Sequence, residues 1–265
     1  SRFTRKTKKG IDPYYHIVIL AMNNQGYRNL MKLVSSANME GFYDVPRTDK
    51  EILRTYNEGL ICLTACDKGE IPRAILKNDE KKTKRLVEEY YDIFGERLYF
   101  ELQNHNLKQQ EIINKKLIEL SSHYGISCVA TNNCHYLKKE EASAHELLLC
   151  IQTGKTLHDK DRLSFKSEEF YFKSPEEMER AFSAFPEAIK NTRRVAEMCN
   201  LQIDTGVYHF PAFNIQGADT IESHFDHLCQ DGFTHRIGQI RASGEPFTDT
   251  DLRIYKERLD YEAGV

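Results

Sequence analysis

The sequence has no hydrophobic run long enough to cross a membrane. Its longest apolar stretches, at residues 17–22 and 147–151, fall far short of the roughly 20 residues that a transmembrane helix needs. We expect neither a membrane span nor a signal peptide. Hydrophobic residues make up 40% and charged residues 29% of the 265 residues. These near-average values predict a folded, soluble chain with one large domain, or one domain plus a partner.

The sequence also lacks an excess of positive charge. Its 37 basic residues stand against 40 acidic ones, which gives a formal net charge of -3. Binding to nucleic acid through bulk electrostatics requires a strongly basic domain, so any contact with DNA must be local. A short run of basic residues near the start is more typical of a solvated loop than of a phosphate-binding patch. Its members are Arg2, Arg5, Lys6, Lys8 and Lys9.

None of the seven cysteines is paired with another at the two-residue spacing of common metal and redox motifs. Their odd number argues against a disulfide framework. This use of cysteine is typical of a reducing compartment, and we expect a cytoplasmic protein.

Several familiar catalytic motifs are absent. Gly154, Lys155 and Thr156 resemble the end of a phosphate-binding loop, but Leu149 stands where that loop requires its first glycine. His145 and Glu146 resemble the start of a zinc-protease helix, but Leu149 occupies the position of its second histidine. Neither a serine-centred nucleophile turn nor the paired carboxylates of a polymerase are found. Metal chemistry is therefore the only catalytic route that the sequence indicates.

Apolar segments of strand length alternate with amphipathic helical patterns in the first half of the sequence. Strands are predicted at 16–21, 59–65, 98–103 and 126–131. Helices are predicted between them at 26–36, 81–94 and 108–124. Gly125 is the expected C-terminal cap of the third helix. This alternation predicts an α/β fold with a parallel sheet, whose carboxyl edge gathers the functional loops.

The second half of the sequence is predominantly helical. Ser174, Pro175 and Glu177 form a capping box with proline at the first helical position. Further helices are predicted at 140–151, 187–199, 221–236 and 250–263, with a short strand at 170–172. The extended, turn-rich segment 201–213 predicts a linker, and we place the domain boundary near Asp204.

Candidate ligands follow two of the predicted strands. His135, with Asn133 and Cys134 beside it, comes directly after the fourth strand, and Cys66 ends the second. Imidazole and thiolate groups there suit a metal ion. The alternatives are a histidine hydrogen-bonded within its loop and a cysteine that packs as a small hydrophobic side chain. We prefer the packing role for Cys62 and leave both roles open for Cys66.

Three other polar residues lie near strand ends. His16 is at the amino end of its strand, where a barrel does not normally place catalytic groups, so position alone excludes it. Glu101 and His105 flank the end of the third strand and are minor candidates. Glu101 alternates into the strand, which also suits a structural partner.

Several segments closely resemble bacterial DNA polymerase III alpha subunits, in that family's order and over nearly the whole chain. They are HIVILAMNN at 16–24, GYRNLMKL at 26–33, EGFY at 40–43, EGLICLTAC at 58–66, VATNNCHY at 129–136, LLCIQTGKT at 148–156, FYFKSPEEM at 170–178 and YKERLDYE at 255–262.

The resemblance implies a PHP (polymerase and histidinol phosphatase) domain at 1–203, a distorted (β/α)7 barrel that lacks its first segments here. Residues 204–265 would be a linker and the helical beginning of the palm domain. In metal-binding members the PHP site resembles a 3′ to 5′ exonuclease that uses zinc or manganese. The family's later ligands fall on His16, Cys66, Asn133 and His135, so the resemblance alone brings His16 into the site.

Two departures from the family pattern are expected to weaken this site. The family's opening histidine pair would precede Ser1. Asn133 stands where metal-binding members have aspartate, and a neutral amide lacks the charge that holds a divalent ion. The magnesium-binding carboxylates that catalyse polymerisation would follow Val265.

Three functions are compatible with the sequence. The first is a segment of a replicative polymerase with a structural or weakly metal-binding PHP domain. It implies DNA template-primer and dNTPs as substrates, and the sliding clamp, clamp loader and proofreading exonuclease as partners. The second is a free-standing PHP phosphoesterase, which the segment after Asp204 disfavours. The third is a non-catalytic platform that docks the proofreading subunit.

Overall fold

A computed structural model of the chain describes residue 3 and residues 14–208, 210–211, 214–215, 220–244 and 246–264. The basic run made up of Arg2, Arg5, Lys6, Lys8 and Lys9 lies outside these residues. The chain divides into two compact units, Ser1–Ile203 and Asp204–Val265.

The first unit is built on a four-stranded sheet. Its strands are β1 (Val18–Ala21), β2 (Leu60–Leu63), β3 (Leu98–Gln103) and β4 (Cys128–Thr131), in the spatial order β1-β2-β3-β4. The strands β2, β3 and β4 are parallel, as predicted. β1, however, runs antiparallel to β2. The predicted α/β class is confirmed, and the sheet is mixed rather than wholly parallel.

The direction of β1 follows from a tight contact at its carboxyl end. The amide of Met22 donates a hydrogen bond of 2.8 Å to the carbonyl oxygen of Gly59, just before β2. Gly26 lies against the same glycine, so closely that a Cβ atom on Gly26 would be 1.9 Å from that oxygen. The end of β1 therefore meets the beginning of β2, and the two strands run in opposite directions.

Eight helices of the first unit lie among the described residues. They are α1 (Asn24–Met39), α2 (Lys50–Thr55), α3 (Glu70–Leu76), α4 (Glu80–Phe94), α5 (Lys108–Tyr124), α6 (Ala142–Thr153), α7 (Pro175–Ala181) and α8 (Pro186–Met198). The sequence did not predict α2 and α3, which have only six and seven residues. The strand expected at 170–172 is reduced to a single bridge between Tyr136 and Tyr171.

The two faces of the sheet bury different sets of side chains, because successive strand residues point to opposite sides. One face, with Phe100 and Leu102 fully buried, packs against helices α3, α4 and α5. Cys62 is buried there, as the sequence predicted. The other face packs against Val195 of α8, and we call it the α8 face. Its buried strand residues are Ile61, Leu63, Tyr99 and Val129.

The predicted helix boundaries at Gly125 and Ser174 are confirmed. Gly125 ends α5 in the left-handed conformation, with φ of 69°, which glycine adopts without a steric penalty. The hydroxyl of Ser174 accepts a hydrogen bond from the amide of Glu177, whose carboxylate accepts one from the amide of Ser174. These reciprocal bonds satisfy amide groups that have no partner within α7.

In the second unit, the described residues form helices α9 (Ile221–Ala242) and α10 (Asp249–Ala263). Thr220 caps α9, and Thr248 forms a capping box with Asp251 at the start of α10. Throughout the described part of the chain, no helix combines the length and apolar character needed to cross a membrane.

Candidate metal site at the carboxyl edge of the sheet

His16 lies two residues before β1. Because β1 runs antiparallel to β2, His16 lies at the edge of the sheet where β2, β3 and β4 end. The amide of His16 donates a hydrogen bond of 3.0 Å to the carbonyl oxygen of Lys68, and His16 forms a β-bridge with Gly69. Both partners lie just past the carboxyl end of β2. The argument that excluded His16 by its strand position is therefore wrong, because it assumed that β1 was parallel to its neighbours.

Cys66 lies beside His16 at this edge. Ala65 adopts a left-handed conformation with φ of 62°, so the chain turns immediately before Cys66. The Sγ atom of half-buried Cys66 is 3.8 Å from Nδ1 of His16. Burial raises the pKa of the Cys66 thiol, and the charges of Asp67 and Glu101 raise it further. A metal ion bound here must displace the thiol proton.

His135 follows β4 at the same edge. Its backbone amide donates a hydrogen bond of 2.8 Å to the carbonyl oxygen of Phe170, which holds the loop in place. Its exposed ring lies 4.6 Å from the ring of Phe165 and 5.4 Å from that of His145, measured between centroids. Burial is the largest cause of the lowered pKa of His135, and the charges of His145 and Lys68 lower it further. Burial and the charge of Lys68 likewise lower the pKa of His16.

Asn133 lies half-buried between β4 and His135. Four sequence-predicted residues thus share one edge of the sheet, but only His16 and Cys66 are in contact. Among the residues that the structure describes, no three histidine, cysteine or acidic side chains lie close enough together to hold a metal ion. The roles of His16, Cys66, Asn133 and His135 as metal ligands all stay predictions.

Glu101 is a buried carboxylate near this edge. Its Oε1 atom accepts hydrogen bonds from the hydroxyl of Thr131 at 2.5 Å and from Nε2 of Gln103 at 3.0 Å. Its Oε2 atom has no hydrogen-bond partner within the described structure, although the residue is only 6% exposed. Thiolate, imidazole and carboxylate groups are all donors that zinc and manganese accept. The donor types present suit a divalent cation, but the described residues do not bring three of them close enough together to hold one.

His105, the other minor candidate, has a structural environment. Its ring is fully buried and stacks on Phe170, with 4.2 Å between the centroids. Nε2 of Gln110 donates to Nδ1 of His105 at 2.8 Å, and Nε2 of His105 lies 3.0 Å from Oδ1 of Asn132. Both ring nitrogens are thus engaged by protein groups, and His105 supports the loop that carries Asn133.

Comparisons with known proteins show what this chain is similar to. The family model for the PHP domain matches residues 4–105. The DNA polymerase III subunit alpha of Borreliella burgdorferi is 40% identical over 267 residues, which cover 100% of this chain and 22% of that protein. The subunit of Thermus aquaticus is 42% identical over 246 residues, covering 89% of this chain and 20% of that protein.

The same subunit of Treponema pallidum is 38% identical over 263 residues, covering 98% of this chain and 22% of its own length. The chain therefore spans about a fifth of the length of these relatives. Similarity extends over nearly all of this sequence, well beyond the residues that the PHP model matches. The chain belongs to the family of DNA polymerase III alpha subunits and carries PHP-domain sequence of that family.

Proposed function

We propose that this chain is the PHP-containing segment of the catalytic alpha subunit of a bacterial replicative DNA polymerase. Residues 1–203 are the PHP domain, and residues 204–265 are the linker and the beginning of the palm. The family relationship and the division of the chain at residue 204 support this assignment. The full-length protein would extend a DNA primer with dNTPs by two-metal phosphoryl transfer using magnesium. It would act in the cytoplasm with a sliding clamp, a clamp loader and a proofreading exonuclease.

The PHP domain of this chain has, in our proposal, a weakened site for zinc or manganese. Its ligands are His16, Cys66, Asn133 and His135. The contact between His16 and Cys66 carries the proposal, because the reversed direction of β1 brings together two ligand types 50 positions apart in sequence. A bound metal would supply a water of lowered pKa for phosphodiester hydrolysis, the reaction of a 3′ to 5′ exonuclease.

The protein residues around the site determine how well it binds. Cys66 is bound only after it loses its proton, and burial opposes that loss. Lys68 adds a positive charge that opposes a cation at both imidazoles. Asn133 contributes no negative charge in compensation. These features favour a domain with a largely structural role and low metal affinity.

Metal titration of the full-length protein tests the site. We expect Asn133→Asp to raise the affinity for Mn²⁺ on the order of tenfold, because added ligand charge strengthens binding. His135→Ala should lower it by roughly tenfold or more. His123→Ala, at an exposed position on α5, is the control and should change nothing. The measurement is isothermal titration calorimetry with Mn²⁺ and Zn²⁺.

A folded protein that binds neither metal, even with Asn133→Asp, would contradict the metal site and favour the docking platform. Failure of the unaltered full-length protein to extend a primed template with magnesium and dNTPs would contradict the polymerase assignment. The two results are independent of each other.

A further inference from the structure

The segment at residues 154–168, between α6 and the bridge at Tyr171, is held in the fold by few contacts. None of its residues, all of which the structure describes, is fully buried. Its two leucines, Leu157 and Leu163, are exposed. Because the segment gains little from hydrophobic burial, its position depends on individual polar and aromatic contacts.

The carboxylate of Glu146 on α6 makes two of these contacts. Its Oε1 atom accepts a hydrogen bond of 3.0 Å from the backbone amide of Phe165, and its Oε2 atom accepts one from the guanidinium of Arg162. Burial raises the pKa of Glu146, but the two hydrogen bonds and the charges of Arg162 and His145 lower it overall. The carboxylate is therefore charged, and hydrogen bonds to a charged acceptor are stronger than those between neutral groups. One side chain thus fixes the segment at two points.

The ring of Phe165 lies between α6 and the loop that carries His135. Its centroid is 4.6 Å from that of His135 and 5.1 Å from that of His145, on which it stacks. The ring of Phe170 is 4.5 Å from Phe165 and 5.7 Å from His135. An exposed imidazole on a loop can adopt several rotamers, so these ring contacts restrict the orientation of His135.

We infer that Glu146 is a positioning residue that fixes the orientation of the His135 ring through Phe165. This inference rests on the proposed function, in which His135 is a metal ligand. A ligand held in one orientation loses less conformational freedom on binding, so its support contributes to affinity. The pair formed by His145 and Glu146 does not complete a zinc-protease helix, but its ring and its carboxylate both contact Phe165.

Modification of histidines by diethylpyrocarbonate, followed at each residue by mass spectrometry, tests this role in the full-length protein. The reaction is run at about pH 8, where histidine is neutral. In Glu146→Ala, we expect His135 to react on the order of tenfold faster, because the loss of two hydrogen bonds to a charged group releases Phe165. Exposed His123 should react at an unchanged rate.

Two controls separate a released segment from an unfolded domain. Asp161→Asn removes a different ion pair of the same segment, that with Lys155, and should leave the rate at His135 unchanged. Buried His105 should stay unreactive in Glu146→Ala.

If His105 does react in Glu146→Ala, Arg162→Gln decides the question. That variant breaks the ion pair with Glu146 but leaves the bond to the amide of Phe165 in place. It should accelerate the reaction of His135 by roughly threefold, less than Glu146→Ala, because a single ion pair near the surface contributes little. An unchanged rate at His135 would then overturn the inference.

The route through Phe165 is tested by Phe165→Ala. If Glu146 acts through this ring, Phe165→Ala should accelerate the reaction of His135 as much as Glu146→Ala does. The double variant should then be no faster than either single variant, because both remove the same interaction. Independent effects that multiply in the double variant would overturn the inference, as would an unchanged rate at His135 in Glu146→Ala.

Titration with Mn²⁺ separates this inference from the proposed metal site. If both hold, Glu146→Ala should lower Mn²⁺ affinity by roughly tenfold, and Asp161→Asn should not change it. If His135→Ala weakens Mn²⁺ binding but Glu146→Ala leaves the reaction of His135 unchanged, the metal site stands and the role of Glu146 is overturned. If neither the unaltered protein nor Asn133→Asp binds Mn²⁺, the metal site is overturned, and a faster reaction of His135 in Glu146→Ala still supports the contact through Phe165.

Discussion

Replacing Gly26 with alanine should destabilise the chain by about 3 kcal/mol, the upper range for forcing an extra methyl group into a packed site. The new Cβ atom would lie 1.9 Å from the carbonyl oxygen of Gly59. The obstacle is backbone, so no side chain can rotate away. Gly59 itself has φ of 70°, a conformation that gives the loop little freedom to move.

Chemical denaturation of the chain measures this effect, with Gly232→Ala as the control. Gly232 also lies within a helix, but an added Cβ atom would meet nothing within 4 Å. That substitution should stabilise the chain by about 1 kcal/mol, the difference in helix propensity between the two residues. If Gly26→Ala were as stable as the unaltered chain, the contact between α1 and Gly59 would be refuted.

Loss of the His105 side chain should destabilise the chain on the order of 3 kcal/mol. His105→Ala removes a fully buried ring that stacks on Phe170. It also leaves the Nε2 atom of buried Gln110 and the Oδ1 atom of Asn132 without their partner. Denaturation of His105→Ala beside His123→Ala gives the comparison, because exposed His123 should change stability by only about 0.5 kcal/mol. Equal effects of the two substitutions would argue against the buried position of His105.

The hydrogen bonds of His105 also determine its tautomer. Gln110 uses its carbonyl oxygen to accept from the amide of His105, so its amino group donates to Nδ1. Asn132 donates its amino group to the carbonyl oxygen of Tyr171, so its Oδ1 atom accepts from Nε2 of His105. Nδ1 is therefore the acceptor, and a second proton on the ring would face the amino group of Gln110.

Stability should accordingly decrease in mild acid. Burial, more than the charge of Lys173, lowers the pKa of His105 below 6.5, whereas Glu169 and the bonds to Asn132 and Gln110 oppose the shift. A lowered folded-state pKa means that the neutral ring stabilises the fold fully above pH 6.5. This contribution is lost as the pH falls from 6.5 through the folded-state value.

The free energy of unfolding, measured between pH 7.5 and 5, checks this expectation. His16 and His135 also have lowered pKa values, so the difference between the unaltered chain and His105→Gln isolates His105. We expect the unaltered chain to lose more stability than the variant over this range, with a slope difference of at most about 1.4 kcal/mol per pH unit. Parallel curves would contradict a buried, neutral His105.

Local sequence determined the elements whose signals are long or chemically specific. The bounds predicted for β3 and α5 agree with the structure, because a largely apolar strand of six residues and a helix of seventeen residues give long signals. The capping box at Ser174 was equally readable, since it depends on residues three positions apart. The short helices α2 and α3 were missed, because six or seven residues show too little periodicity to stand out.

Family resemblance supplied what local patterns did not, namely the candidate ligand His16. The strand-end argument rejected it, because the direction of a strand in a sheet is absent from its own sequence. That direction depends on the pairing of Met22 with Gly59 and on the space left by Gly26. Only the folded chain brings these distant residues together.

The sequence by itself therefore determined the α/β class, the main strands and helices, and the residue types that suit a metal site. Tertiary structure decided which of those residues meet. In the fold, β1 runs antiparallel to β2 and His16 contacts Cys66. His105 is buried among structural partners, and one carboxylate oxygen of Glu101 has no hydrogen-bond partner in the described structure. The physical reason is that periodicity and capping are local interactions, whereas strand direction and burial depend on contacts between segments far apart in the chain.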